Sequence, residues 1–244
     1  MFDPFKDFDT AGYLRNFDGE KNLDIVKVVE HELFRANLPD AVDYLSHAKA
    51  ITYQDFLHVH RLLFQGFYPW AGQDRATTAP ESAIHKGQAL FAHPSDAARA
   101  VNEGLRLGLD AKKMRQRPGE VMGLFAFSHP FLDGNGRAML LVHAELCQRA
   151  GFSIDWLRTH KNDYLLALTQ EIALPGKGIL DSYLLPFVAP AQADGNGAWM
   201  NSTAMLQSLG SSGAQDEIGG SFADPSVAAQ YKQFEQQRGY EIKG

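Results

Sequence analysis

Apolar positions recur at helical spacing along most of the chain. Leu23, Val26, Val29 and Leu33 share one stripe, and Pro39 marks the expected end of that helix. Thr52 is a good N-cap, with Asp55 at the third helical position and Ile51 and Phe56 at the spacing of a hydrophobic staple. The helix begun there carries Phe56, Val59, Leu63 and Phe64 and is expected to stop near Gly66. Ser95 opens the next, through Val101 and Leu105. Pro118 stands in the first turn of another, which carries Met122 and Phe125 up to His129. Met139, Val142, His143, Leu146 and Cys147 mark one face of a helix ending at Gly151. Residues 161–174 and 179–188 also read as helical, parted by Pro175-Gly176-Lys177-Gly178.

The remaining stretches lack that period. Residues 1–22 are rich in Asp, Asn and Gly and read as an irregular lead-in. Phe67 to Arg75 is aromatic and turn-forming. Residues 76–93, with Thr77-Thr78, Pro80 and Lys86-Gly87, suit a short hairpin or exposed loop. The pattern therefore predicts an all-α bundle with one small β-hairpin. Beyond Pro190 the character changes: residues 191–220 hold six glycines and three charged side chains, Asp194, Asp216 and Glu217, and read as linker. Asp224-Pro225 then starts a final helix with Val227, Tyr231 and Phe234 on one stripe and Gly239 as C-cap. The expected division is a main domain over 1–190, then a Gly/Ser-rich linker and C-terminal helix over 191–244.

Composition narrows the function classes. The 244 residues are 45% hydrophobic and 21% charged, in the range of ordinary globular proteins, and can bury one sizeable core. A net charge of −6 argues against a dedicated nucleic-acid or membrane-surface partner. Cys147 is the single cysteine, so no internal disulfide forms, and its apolar run makes it a buried hydrophobe. The N-terminus has no basic region followed by an apolar core, and no apolar run has spanning length. The expected location is the cytoplasm, or another cell reached through a specialised secretion system.

Chemistry concentrates in Ser128-His129-Pro130-Phe131-Leu132-Asp133-Gly134-Asn135-Gly136-Arg137. An Asp-Gly-Asn-Gly-Arg run just before a helix offers backbone N–H groups and the positive end of the macrodipole to an anion. The glycines keep side chains out of that approach, and Arg137 adds a fork suited to phosphate oxygens. Asp133 is the hard oxygen ligand that Mg²⁺ takes together with substrate phosphates. His129 ends the preceding helix and is the side chain best suited to take a hydroxyl proton near neutral pH. Base, metal ligand, anion nest and arginine form an inventory for phosphoryl transfer. Singly, an Asp-Gly-Asn-Gly turn or a histidine before proline is usually structural. Their ordered combination carries the reading.

That combination, His-Pro-Phe-x-Asp-Gly-Asn-Gly-Arg, resembles the signature of the Fic (filamentation induced by cAMP) family, most of whose members transfer AMP from ATP to a hydroxyl of a target protein. The resemblance covers roughly residues 10–190. It includes Tyr13-Leu14-Arg15-Asn16 and Phe64-Gln65-Gly66-Phe67-Tyr68-Pro69-Trp70-Ala71-Gly72, while Ile84-His85-Lys86-Gly87 with Phe91-Ala92 is similar to the family's flap. It implies a Fic-type catalytic domain over 1–190 with a hairpin flap beside the active site. His129 would be the general base toward a Tyr, Thr or Ser hydroxyl. Asp133 would hold Mg²⁺ between the α- and β-phosphates of ATP, the co-substrate. Gly134, Asn135 and Gly136 would form the anion hole and Arg137 would grip the distal phosphates. Phe131 would anchor the loop from the core, while Lys86 and Gly87 on the flap (76–93) would help align a protein substrate by strand addition. A separate inhibitory protein is a further partner the resemblance implies. Neither nucleic acid nor membrane is implied.

The match departs from the family at one place. The family motif usually continues Arg-x-x-Arg, but here it runs Arg137-Ala138-Met139-Leu140. In relatives that second arginine faces the ATP γ-phosphate and pairs with an inhibitory glutamate in a helix of pattern Ser/Thr-x-x-x-Glu. Only Thr77 with Glu81 has that spacing here, and Pro80 opposes a helix there. The chain is therefore expected to escape the usual glutamate restraint. Leu140 also leaves other donors open, phosphocholine or another nucleotide, as in relatives lacking this arginine. Doc-type kinases carry lysine where this chain has Gly136, which favours nucleotidyl transfer. A weakly catalytic Fic-shaped binding, toxin or effector component is the remaining alternative. Elsewhere, His58 and His60 point to different helix faces and are not expected to share zinc, and His143, Trp70 and Trp156 read as core. Asn162-Asp163-Tyr164 is placed beside the nucleotide base by its distance after the motif.

Overall fold

A computed structural model describes residues 1–87, 89–191 and 216–239. After a one-turn helix α1 (Phe8–Ala11), the long helix α2 (Leu23–His47) buries Val26, Glu30, Phe34, Leu38, Ala41 and Leu45 along one stripe. The sequence expectation that Pro39 ends this helix is corrected. Proline removes the hydrogen bond to the carbonyl four residues earlier, but Pro39 and Arg35 both face solvent, so water can take up that carbonyl while Ala41 and Leu45 keep the following turns packed. α3 (Tyr53–Phe64) starts from a full capping box between Thr52 and Asp55, with Ile51 and Phe56 both buried.

A single turn, α4 (Arg75–Thr78), is capped by Asp74 and leads into the hairpin of β1 (Ser82–Lys86) and β2 (Ala89–Leu90). The helices α5 (Ala97–Gly108), α6 (Ala111–Gln116), α7 (Pro118–Ser128) and α8 (Asn135–Arg149) follow. Every residue of α7 is buried, which makes it the axis of the bundle. Packing about it is close. A Cβ on Gly119 would lie 2.3 Å from the backbone nitrogen of Asp181 in α10, so only glycine admits that neighbour. The small antiparallel pair β3 (Phe152–Ile154) and β4 (Val188–Pro190) brackets α9 (Lys161–Ala173) and α10 (Ile179–Leu184).

The chain returns as β5 (Glu217–Ser221) and ends in α11 (Pro225–Arg238), whose N-cap Asp224 accepts from the Ser226 N–H. β5 joins the hairpin in the order β2-β1-β5, antiparallel throughout, with Ser82 opposite Ser221 and His85 opposite Glu217. The reading of 191–220 as linker therefore fails at its end, and residues 192–215 lie outside the described residues. Strand formation here follows from the open edge of β1 and not from any alternation in Glu-Ile-Gly-Gly-Ser. The architecture is a helical bundle with a small β flap on one side.

Candidate active site

The loop from His129 to Gly134 joins α7 to α8 and is held almost wholly by buried groups. His129 caps α7 in the left-handed region, at φ 41°, which a non-glycine residue adopts only when its surroundings impose it. Arg75 supplies the constraint. Its side chain is fully buried, donating from Nε to the His129 carbonyl at 2.6 Å and from Nη2 to Ala92 and Ser128 at 2.7 and 3.3 Å. Its backbone N–H donates to the Pro130 carbonyl at 2.7 Å. One guanidinium thus ties the loop to the segment that follows β2. Burial lowers its pKa to about 10.

Below the loop, Phe131 lies flat on the ring of His60, centroids 3.7 Å apart. The Gly72 N–H donates to His60 Nδ1, so Nε2 carries the hydrogen and donates to the Asp133 carbonyl at 3.0 Å. Burial lowers the His60 pKa to about 3, so this ring is a neutral, fixed strut. Gly134 sits at φ 75°, and a Cβ there would come within 2.5 Å of the Phe64 ring. The Asn135 side chain accepts from the Phe131 N–H and donates to the Phe131 carbonyl, at 2.9 and 2.7 Å, closing the loop on itself. Asn135 and Gly136 open α8, where the first bonds are made by the Arg137 and Ala138 N–H groups to the Gly134 carbonyl, at 3.1 and 3.0 Å. The Asn135 and Gly136 amides thus belong to the set that a helix leaves for an outside acceptor.

Arg137 is 5% exposed and binds both oxygens of Glu30 in α2, at 2.7 and 2.8 Å, over the face of Phe64. Burial opposes its charge, but the Glu30 carboxylate outweighs that and holds the guanidinium ionised. Its Nη2 also lies 3.4 Å from Asp133 Oδ1, the oxygen that takes the Gly134 N–H. Asp133 remains about one-third exposed at the loop surface. A glutamate therefore holds the motif arginine, from α2 and outside any Ser/Thr-x-x-x-Glu helix.

The His129 imidazole lies parallel to Phe91, centroids 3.7 Å apart, and its Nε2 is 2.7 Å from Asp216 Oδ2. Burial lowers its pKa, against the opposing pull of Asp216. Burial pushes the Asp216 carboxyl up, but His129, Lys86 and Arg75 together bring it below the usual range. The pair is thus a carboxylate accepting the Nε2–H of a neutral ring. Asn135 Nδ2 stands 3.1 Å from the same nitrogen. Lys86, about half exposed on β1, has its Nζ 3.8 Å from Asp216 Oδ1, and Gly87 at φ 57° makes the turn toward β2. Tyr13 completes a wall of the site: its hydroxyl pKa is raised by burial and by the nearby charges of Asp133, Asp216 and Glu30.

His129, Asp133, Gly134, Asn135, Gly136 and Arg137 are thus brought together, with Lys86 at the rim. Gly87 lies at the flap tip, in the turn beyond Lys86. Tyr164 is fully buried edge-on to Trp156, so of the segment placed beside a nucleotide base only Asn162 and Asp163 are exposed. Leu140 is fully buried in α8. Glu30, His60, Arg75 and Asp216 are the residues that sequence reasoning missed. Among the described residues no group of three or more His, Cys, Asp or Glu side chains could hold a metal by themselves. No helix among them is long and apolar enough to cross a membrane.

Residues 50–147 match the model of the Fic/DOC family. It is similar to the protein adenylyltransferase VbhT of Bartonella schoenbuchensis, 32% identical over 177 residues, covering 66% of this chain and 34% of that protein. It is also 29% identical over 106 residues to the probable protein adenylyltransferase Fic of Escherichia coli, covering 40% of this chain and 50% of that one. The matches thus span about a third to a half of these relatives' length. The fold is that of solved Fic domains. One is the N-terminal Fic domain of a VirB-translocated Bep effector of Bartonella quintana with bound ADP, at TM-score 0.62 and 19% identity over 76% of this chain and 95% of that one. Another is BepC of Bartonella tribocorum with bound AMPPNP, at TM-score 0.58 and 19% identity over 75% and 95%.

Proposed function

We propose that this protein is a protein adenylyltransferase, which moves AMP from ATP to a Tyr, Thr or Ser hydroxyl of a target protein. The observation that carries this reading is the single preorganised loop beside the flap that carries His129, Asp133 and the first amides of α8. The names of the relatives favour the adenylyl group. In the reaction the target oxygen attacks the α-phosphorus, and the bond from that phosphorus to the β-phosphate oxygen breaks. Pyrophosphate leaves and the target keeps AMP as an ester. His129 takes the hydroxyl proton on Nε2, its buried setting keeping the ring neutral beforehand. The Asn135 and Gly136 amides lie where the negative charge of the transferring group would collect.

Asp133 fits a magnesium ligand, since its Oδ1 is held by Gly134 while the carboxylate stays open at the surface. Mg²⁺ commonly takes only one or two carboxylates beside substrate phosphates, so a lone Asp133 suffices. Bound there, the ion would neutralise charge on the departing pyrophosphate. Arg137 reaches a phosphate from its place against Glu30, or after release from it. Lys86 and Gly87 would receive an extended protein segment along β1. A separate inhibitory protein, and action in the cytoplasm or in another cell after secretion, remain part of the proposal.

The fully buried Leu140 supplies no charge to a γ-phosphate, and this favours one alternative, a different phosphate-linked donor at the same loop. Incubation with ATP labelled at the α- or γ-phosphate, and with choline-labelled CDP-choline, separates the two. Protein labelled from α alone, and lost by about 100-fold or more in His129→Ala, is the expected result. Label from choline or from the γ-phosphate contradicts adenylyl transfer, and label retained by His129→Ala contradicts the base.

A further inference from the structure

The C-terminal return of the chain occupies the place where a target strand would lie. β5 pairs antiparallel with β1, and its register continues one residue beyond the Glu217–His85 pair to set Asp216 opposite Lys86, within 3.8 Å of its ammonium. From there the Asp216 carboxylate reaches His129 Nε2 at 2.7 Å. A nitrogen that donates its hydrogen to a carboxylate has no lone pair for an incoming hydroxyl. The segment is tied down farther along. The Phe222 N–H donates to the Glu81 carbonyl at 2.8 Å, and the Phe222 ring packs against His93 and Tyr231. The Tyr231 hydroxyl donates to the Ile84 carbonyl at 3.1 Å, and Arg238 donates to the Ile172 carbonyl while lying over Phe127.

The strand itself is lightly held. Four of the five residues of β5 are exposed, and α11 buries only Tyr231 and Arg238. A segment with so little buried apolar surface opens at low cost while the bundle stays folded. Two glycines let it lie close. A Cβ on Gly219 would meet His85 at 3.0 Å, and Gly220 sits at φ 141° where a Cβ would be 2.7 Å from Val227.

We propose that residues 216–222 are an internal pseudosubstrate, seated on the edge of β1 with the Asp216 carboxylate where a target hydroxyl must stand to reach His129. This rests on the adenylyltransferase reading for what the displaced segment blocks. It also specifies the target: an extended segment whose hydroxyl residue lies opposite Lys86, with small residues opposite Ala83, where Gly220 now pairs, and at the place of Gly219 close to the His85 ring.

Two full-length variants test this, Asp216→Ala, which removes the carboxylate, and Gly220→Val, which forces a side chain onto a φ of 141° against Val227 and so loosens β5 without touching the site. Carbethoxylation of His129 by diethyl pyrocarbonate, mapped by peptide mass, reads whether Nε2 is covered. Transfer of α-phosphate label from Mg-ATP to acid-precipitable protein in one fixed lysate reads what the cover does. Both variants are expected to make His129 more reactive and to raise transfer about tenfold, as the competent fraction grows. Unchanged His129 reactivity in both variants overturns the proposal. So does a fall in transfer in Asp216→Ala, which would make that carboxylate a positioning partner of the imidazole. Raised reactivity with no transfer in any form upholds the covering strand and rejects the transferase reading instead.

Discussion

The loop from His129 to Gly134 and the flap lie side by side but are built on opposite principles. The loop is fastened from inside, by a fully buried arginine, a neutral buried histidine and an asparagine that brackets Phe131. The flap is a short hairpin whose free edge is completed by five residues from the far end of the chain, most of them exposed. One region has its polar groups spent on holding a shape, and the other offers backbone groups for exchange. The proposed transfer to a protein hydroxyl needs both, a fixed reacting centre and an adaptable docking edge.

The largest effect should come from breaking the fixed side. Arg75→Ala would strip donors from three buried carbonyls, and at ~1–3 kcal/mol for each unsatisfied group a loss of about 4 kcal/mol in unfolding free energy is expected by denaturant titration. A loss under about 1 kcal/mol would mean that the loop is not held from below.

Acid should weaken the same side next. His60 is buried neutral, with its pKa lowered to about 3, whereas it titrates near 6.5 once unfolded. The unfolded chain therefore binds the extra proton first as pH falls. Stability contributed by the neutral ring is whole above pH ~6.5 and declines toward pH ~4 by up to about 1.4 kcal/mol per pH unit. Denaturant titrations at pH 7, 6 and 5 check the slope, and a flat profile would contradict burial of a neutral ring. The smallest stability effect belongs to the docking edge. Gly220→Val should change the unfolding free energy by less than about 1 kcal/mol even while it uncovers His129, because β5 buries so little. A large loss would make β5 part of the core fold.

The same division explains what the sequence made legible. The Thr52–Asp55 capping box and the run from His129 to Arg137 were readable because their partners lie within ten residues of one another. Glu30 lies 107 residues from the arginine it binds, and on its own helix it is one polar residue in an apolar stripe. His60 carries no signal of its role, because its work under the loop depends on Gly72 and Asp133, which only the fold brings near. Pro39 misled because helix-breaking depends on whether water can reach the freed carbonyl. Asp216 carries no signal of its own, lying 87 residues from His129 in a glycine-rich stretch whose strand exists only through its partner.

The central claim is that AMP passes from ATP directly to a protein hydroxyl, whose proton His129 takes, once β5 has left that ring. Mass spectrometry of labelled peptides after incubation of the Gly220→Val protein with Mg-ATP and lysate tests it most directly, run beside the same variant also carrying His129→Ala. The account predicts the mass of one AMP on Ser, Thr or Tyr residues with the first protein and none with the second. Another added group, or the same AMP with both proteins, would contradict it.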